Sequence, residues 1–430
     1  MNISIVSGWV PVVGQLLAVA ALALAVDWRH GGWRRQLARG VPVAAGTTLV
    51  VALVCTLASL VPDDFPRLAW VWGFGFVLAV WVAATGWSSA GWRRRVVMVA
   101  AAVLTLAASL GTVNARSGAF PTVDRLLSGN PEHVTVTAQL AQIRSEVART
   151  GRLPAEGAVI TETIPATVSH FETNPATVYL PPAWFAKVTP SLPTLVLLPG
   201  EPGTASDWVD EGDADTTADA FAAAHGGVAP IIVMPDPNGV KTDDTECVNS
   251  QFGNAETYLV DDVPAFARNR FNASTAPGSL AIGGLSAGGT CSTMLALRHP
   301  TVYPTFASFS GFASPQFEND TQAQTIDILF GGSEQAFADH DPAELLRNGA
   351  YDGLSGWFEV GDEDTEPLDA AHQLQPAAAS AGISTCILVR SGGHDYDLWS
   401  QALIDAFPWL AWHLGLTGQP STEPATCTGS

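Results

Sequence analysis

Basic side chains are scarce in this chain: 20 Lys and Arg stand against 41 Asp and Glu, a net charge of −21 over 430 residues. So acidic a molecule repels phosphate backbones, which argues against nucleic acid as a partner. The five cysteines show no CxxC and no Cys/His spacing of the kind that holds zinc. No metal site is expected, and nothing in the sequence asks for a cofactor. The later part of the chain has neither an internal repeat nor a low-complexity segment.

The charge that is present is unevenly placed. Residues 1–119 carry nine basic and three acidic side chains, and the remainder is strongly acidic. The first part contains four apolar runs, Trp9 to Val26, Val41 to Val61, Leu68 to Ala84 and Val96 to Val113. Each is roughly 17 to 21 residues long, the length needed to cross a hydrocarbon core of ~30 Å, and none contains Asp, Glu, Lys, Arg or His. They are expected to anchor rather than to form a transport path, which would need such groups. Arg29, Arg34, Arg35 and Arg39 fall in the first loop and Arg93, Arg94 and Arg95 in the third, whereas the second holds Asp63 and Asp64. Retention of Arg on the cytoplasmic side puts loops one and three inside, and the N-terminus and everything after Val113 outside. A cleaved signal peptide is the competing account of the first run, but it lacks a basic leading segment and three further runs follow it.

Residues 120–157 are expected to supply a juxtamembrane helix, within Asp124 to Arg149, and a linker. From residue 158 to 416, short β-rich runs alternate with helical patterns. The runs are AVITETI, ATVYLP, TLVLL, PIIVM, SLAIG, TFASF, GWFEV and STCILV. That alternation predicts an α/β domain with a mostly parallel sheet, antiparallel at its start and covered by helices on both faces. Residues 417–430 read as a loose tail. In such a sheet, chemistry collects at the carboxyl ends of the strands.

Gly284-Leu285-Ser286-Ala287-Gly288 is a G-x-S-x-G pattern at a strand-to-helix junction, where a sharp turn lifts the serine side chain clear of the backbone. A nucleophilic serine needs a base, and the base an orienting acid, each following a later strand. Of the histidines, His394 alone follows a strong late strand in a glycine-marked loop, SGGHDYDLW. The acid belongs after GWFEV, where Asp362, Glu363 and Asp364 compete on equal terms. Backbone N–H groups of Ala287 and of Glu201, the latter in the loop PGEPGTASDW, are candidates for stabilising an oxyanion.

Taken in order, LLPGEPGTASDW, PIIVMPDPNG, GNAETYLVDDVPAF, AIGGLSAGGTCSTMLALRHP, SFSGFASP and GGHDYDLW resemble the esterase D-like esterases. This is an α/β-hydrolase group that includes feruloyl esterases and actinobacterial mycolyltransferases. The resemblance covers residues 160–415 and implies an α/β-hydrolase fold. It favours Asp364 as the acid, three residues after Gly361, with Asp362 as runner-up. Pro199 stands where the family often carries His or Asp before the oxyanion loop, which removes a side chain that could meet substrate. The loop around Cys247 is expected over the same strand ends, and Cys291 lies five residues past Ser286. The expected bridges are therefore Cys247 to Cys291 and Cys386 to Cys427, the second tying down the tail.

The expectation is a membrane-tethered serine ester hydrolase on the extracytoplasmic side, acting on an ester of lipid or acylated-sugar character. An acyltransferase of mycolyltransferase type is the first alternative. A silent lipid- or sugar-binding envelope protein is the second.

Overall fold

The computed structural model describes residues 5, 9–28, 32–57, 66–117, 135, 137–240, 244–317 and 321–419. The chain divides into two compact units, residues 1–130 and 131–430.

Among the described residues the first unit contains four helices, α1 (Trp9–Ala25), α2 (Trp33–Leu57), α3 (Arg67–Gly86) and α4 (Trp92–Ser117). By length and composition α2, α3 and α4 could each cross a membrane, whereas α1 is a shorter apolar helix. At 1.5 Å per residue the described α1 spans about 26 Å, at the lower end of what crosses a ~30 Å core, and it coincides with the first of the four expected runs. Two helices also start earlier than expected. Arg34, Arg35 and Arg39 lie in the first two turns of α2 and Arg93, Arg94 and Arg95 in the first turn of α4, not in loops. Arginine is a good helix former and its long side chain reaches past the helix end, so the helix need not stop where the apolar run does.

The packed interior of this unit is made largely of small residues, among them Ala44, Ala79 and Ala101, with Val82 and Met98. Leu16, Leu17, Leu24, Leu49, Leu53 and Leu110 are exposed. Small residues inside and leucines outside reverse the arrangement of a water-soluble bundle and match helices that meet lipid. Arg94 pairs with Asp27 at 2.9 Å and donates to the Ala25 carbonyl at 3.0 Å. The end of α1 and the start of α4 therefore lie together.

The first described helix of the second unit is α5 (Thr137–Thr150). The earlier part of the helix expected there lies outside the described residues. Its main sheet has eight strands, β1 (Ala158–Glu162), β2 (Ala176–Leu180), β3 (Thr194–Leu198), β4 (Ile231–Met234), β7 (Leu280–Leu285), β8 (Thr305–Phe309), β9 (Ser355–Gly361) and β10 (Ser384–Arg390). A separate hairpin of β5 (Asn249–Ser250) and β6 (Gly253–Asn254) lies between β4 and β7 in sequence. The strand order is β1-β2-β4-β3-β7-β8-β9-β10. β1 and β2 run antiparallel to their neighbours, and β4, β3, β7, β8, β9 and β10 are mutually parallel. Every residue of β2, β3, β4, β8 and β9 is buried. This is why β3 and β4 read as apolar runs rather than as alternating ones.

Helices α6 (Ala214–Ala224), α7 (Val263–Phe271), α8 (Ala287–Arg298), α9 (Thr365–Ser380) and α10 (Tyr396–His413) flank the sheet. One core layer gathers Phe271, Leu295, Phe306 and Phe358, and a second gathers Trp208, Phe309, Trp357 and Phe407. The alternating side chains of β8 and β9 thus feed both faces. Between β8 and β9 residues 334–348 form two short helices, Glu334–Ala338 and Pro342–Asn348. Asp341 caps the second by accepting from the Ala343 N–H at 2.8 Å, and Pro342 cannot continue the first.

Candidate active site

Strand β7 ends at Leu285 and α8 starts at Ala287, so Ser286 alone makes the turn. Its backbone sits at φ 53° and ψ −125°, a conformation costly for a residue with a side chain. Three hydrogen bonds hold it there. The Ser286 N–H donates to the Phe309 carbonyl at 2.9 Å, and the Ser286 carbonyl accepts from Gly289 and Thr290 N–H at 2.9 and 3.2 Å. The chain can turn so tightly because Gly284 has no Cβ. An atom there would stand 2.3 Å from the Gly288 oxygen.

The Ser286 Oγ lies 2.9 Å from Nε2 of His394, and Nδ1 of His394 lies 2.9 Å from Oδ2 of Asp364. Three side chains from the ends of β7, β9 and β10 therefore meet in one line. Ser286 and Asp364 are buried while His394 is about a quarter exposed, its side chain at 24%. Asp362 goes elsewhere: it is exposed, and its Oδ1 accepts from the Gly392 N–H at 3.1 Å. It braces the histidine loop and makes no contact with the imidazole.

Aromatic rings bound the imidazole. Trp399 stands edge-on to His394 with centroids 4.9 Å apart, and Phe312 lies at 5.9 Å. Neither was singled out in the sequence, although Trp399 closes the GGHDYDLW motif. Asp395 caps α10 by accepting from the Leu398 N–H at 3.0 Å, which fixes where the helix starts and so where its aromatic residues point. Tyr396 donates its hydroxyl to Asp207 Oδ2 at 3.3 Å, joining the histidine loop to the segment after β3. Burial, followed by the neighbouring Asp207 and Glu211 carboxylates, pushes the Tyr396 phenol upward and keeps it a donor.

Of the two expected oxyanion donors, Ala287 adjoins the serine and Glu201 stands one residue beyond a backbone that packs against it. Ala287 is the first residue of α8, and the leading N–H groups of a helix have no intrahelical acceptor. Glu201 follows Gly200, where a Cβ would stand 3.1 Å from the Ser286 Cβ, so this backbone runs beside the serine. Cys247 and Cys291 form a disulfide with Cα atoms 5.7 Å apart, stapling the loop after β4 to α8. Cys386 is buried in β10, and its expected partner Cys427 lies outside the described residues. Among the described residues, no cluster of three or more His, Cys, Asp or Glu is arranged to hold a metal ion.

A model of the putative esterase family matches residues 172–410, more than half of the chain. The chain belongs to the putative esterase family. It is accordingly an enzyme of the carboxylic-ester hydrolase class. An uncharacterized protein of Corynebacterium glutamicum is 35% identical over 335 residues, covering 75% of this chain and 78% of that protein. Among solved structures, a ferulic acid esterase superposes with a TM-score of 0.52 at 21% identity, covering 60% of this esterase and 98% of that chain. An S-formylglutathione hydrolase of Agrobacterium tumefaciens gives 0.50 at 18% identity, covering 61% and 98%. At such identities these structures show that the fold is shared, and the α/β-hydrolase architecture follows from them and from the sheet order.

Proposed function

We propose that the protein is a membrane-anchored serine esterase of the extracytoplasmic face, acting through Ser286, His394 and Asp364. The observation that carries this reading is the pair of 2.9 Å contacts from Ser286 to His394 and from His394 to Asp364. His394 Nε2 takes the proton of the serine hydroxyl as Oγ bonds to the ester carbonyl carbon, and the carbonyl oxygen becomes an oxyanion. The N–H groups of Glu201 and Ala287 donate to it, and donors of this kind are each worth about 2.7 to 4 kcal/mol in comparable enzymes. Collapse of the tetrahedral species breaks the bond to the alcohol oxygen, which receives the proton from His394. Water, activated by the same imidazole, then releases the acid and frees Ser286. Asp364 keeps the proton of the imidazole on Nδ1 and stabilises the cation formed in each half-reaction.

Anchoring is supported by three apolar helices of spanning length and by their lipid-facing leucines. Sidedness is supported by the gathering of positive charge. Arg94 meets Asp27 at one end of the bundle, and at that end Gln36 of α2 donates to the Val82 carbonyl and to Thr85 Oγ1 of α3, each at 3.0 Å. The arginines at the starts of α2 and α4 therefore share one side, which the positive-inside rule makes cytoplasmic.

A second reading, acyl transfer to an envelope sugar, is favoured by the resemblance of SFSGFASP to the mycolyltransferases. It needs the same acyl-enzyme, with an alcohol in place of water. The test is to treat the full-length protein in detergent with a fluorophosphonate probe, and separately with a long-chain acyl trehalose with and without free sugar. An adduct confined to Ser286 is expected, with free acid as the product. Transfer product in the presence of sugar selects the second reading, and a folded protein that forms no adduct is a silent binding protein.

A further inference from the structure

Glu201 is held by a side chain that no step above uses. Its carboxylate accepts a hydrogen bond from Nδ2 of Asn238, a buried residue in the loop after β4. A carboxylate has no proton to offer, so Asn238 must present its amide NH2 and its orientation is fixed. The backbone N–H of Asn238 donates to Asp236 Oδ1 at 2.8 Å, and Asp236 Oδ2 accepts from Asn174 Nδ2 at 2.7 Å. Thr173 Oγ1 donates to the Asp236 carbonyl at 2.8 Å. The chain of bonds runs from the segment before β2, through the loop after β4, to the tip of the Glu201 side chain. It ends one residue from Gly200, whose backbone lies against Ser286.

We propose that Asn238 is a positioning residue of this esterase: by gripping the Glu201 side chain it aims the Glu201 peptide N–H at the place where the oxyanion forms. The inference rests on the reading of Ser286 and Glu201 given above. The peptide N–H and the gripped side chain of Glu201 meet at one Cα, and the glycine before it leaves the N–H side of that residue without stiffness of its own. Acid stands near Glu201 as well. The Glu246 carboxyl is pushed well above the usual carboxylate range by burial and then by Asp244 and Glu201, and it accepts from the Gln316 N–H.

The test measures kcat and KM of the full-length protein for a short-chain p-nitrophenyl ester between pH 5 and 9. Asn238→Ala is expected to lower kcat by about 10- to 100-fold with KM within about twofold, because a misplaced donor weakens the transition state more than the ground state. Asn238→Asp sets two carboxylates together, and they can bond only by sharing a proton. Its kcat relative to wild type is therefore highest at the acid end and falls as pH rises. Combining Asn238→Asp with Glu201→Gln exchanges donor and acceptor, so it should restore most of kcat and flatten that ratio. A passive structural contact would not show this pH signature or this rescue. Wild-type kcat in Asn238→Ala overturns the proposal, as does a pH-independent ratio in Asn238→Asp or a folded double variant no better than the single one. If Ser286→Ala keeps its turnover, the underlying reading fails. If Ser286→Ala is dead and the Asn238 variants behave as wild type, only this inference does.

Discussion

Gly361 and Gly392 are packed so closely that a Cβ on Gly361 would stand 2.2 Å from the Gly392 carbonyl oxygen. Gly361 ends β9 and leads to Asp364, and Gly392 follows β10 and leads to His394. Three further bonds lace the two loops: Asp362 N–H to the Arg390 carbonyl at 2.7 Å, Glu363 N–H to the Gly392 carbonyl at 3.0 Å, and Gly392 N–H to Asp362 Oδ1 at 3.1 Å. The separation of His394 from Asp364 is set by this contact between backbones.

Gly361→Ala should therefore push the histidine loop away from the acid. The contact is with backbone, which cannot rotate aside as a side chain could. Loss of about 100-fold in kcat is expected for a displacement near 1 Å, with a smaller change in KM. Steady-state kinetics check this, and a wild-type kcat would mean that the loops slide freely.

The two aspartates after β9 should separate cleanly. Asp364→Asn leaves the geometry in place but puts an amide against Nδ1, favouring the wrong tautomer, and a drop of about 10⁴ in kcat is expected. Asp362→Asn keeps an oxygen for the Gly392 N–H, so a loss below about tenfold is expected. Equal losses in the two variants would reassign the acid.

Much of this was legible in the sequence because burial on both faces writes itself as apolar runs. TLVLL, PIIVM and TFASF coincide with β3, β4 and β8, and the spacing of glycines around Ser286 placed the turn. The order of strand ends pointed to His394. The choice of Asp364 over Asp362 came from resemblance, since three neighbouring acids have the same chemistry and differ only in which way the loop aims them. Residues joined through space by irregular loops leave no periodic trace, so Asn238 and Glu201 could not be paired, nor could Trp399 be placed against His394. The β5–β6 hairpin has two residues per strand, too few to show a period.

The Cys247–Cys291 bridge closes a loop of 44 residues in sequence separation. Constraining the unfolded chain by such a loop is worth about 2 to 4 kcal/mol. Replacing both cysteines by alanine should lower the Tm of the catalytic unit by about 5 to 10 °C. It should also free the loop that carries Asp244 and Glu246. Scanning calorimetry with and without reductant checks this, and a wild-type protein whose Tm ignores full reduction would remove the bridge from the stability argument.

Glu359 gives the fold a pH dependence of definite sign. It is buried in β9, where Oε2 accepts from Trp357 Nε1 at 2.9 Å and Oε1 from Arg390 Nε at 3.1 Å. Arg390 also pairs with Asp405, so two carboxyl groups share one guanidinium. Burial first, then the Asp405 charge, pushes the Glu359 carboxyl up to about 9, against the bonds from Trp357 and Arg390 that lower it. The folded protein thus holds a proton that the unfolded chain releases near pH 4.5. Between those values the native state binds more protons, so stability is greatest at the acid side and falls as pH rises toward 9. Glu359→Gln keeps the shape and an acceptor for Trp357 but has no proton to lose. Its Tm should be flatter than wild type between pH 6 and 9 and higher at pH 8. Parallel Tm–pH curves for the two proteins would show that Glu359 is already ionised in the fold.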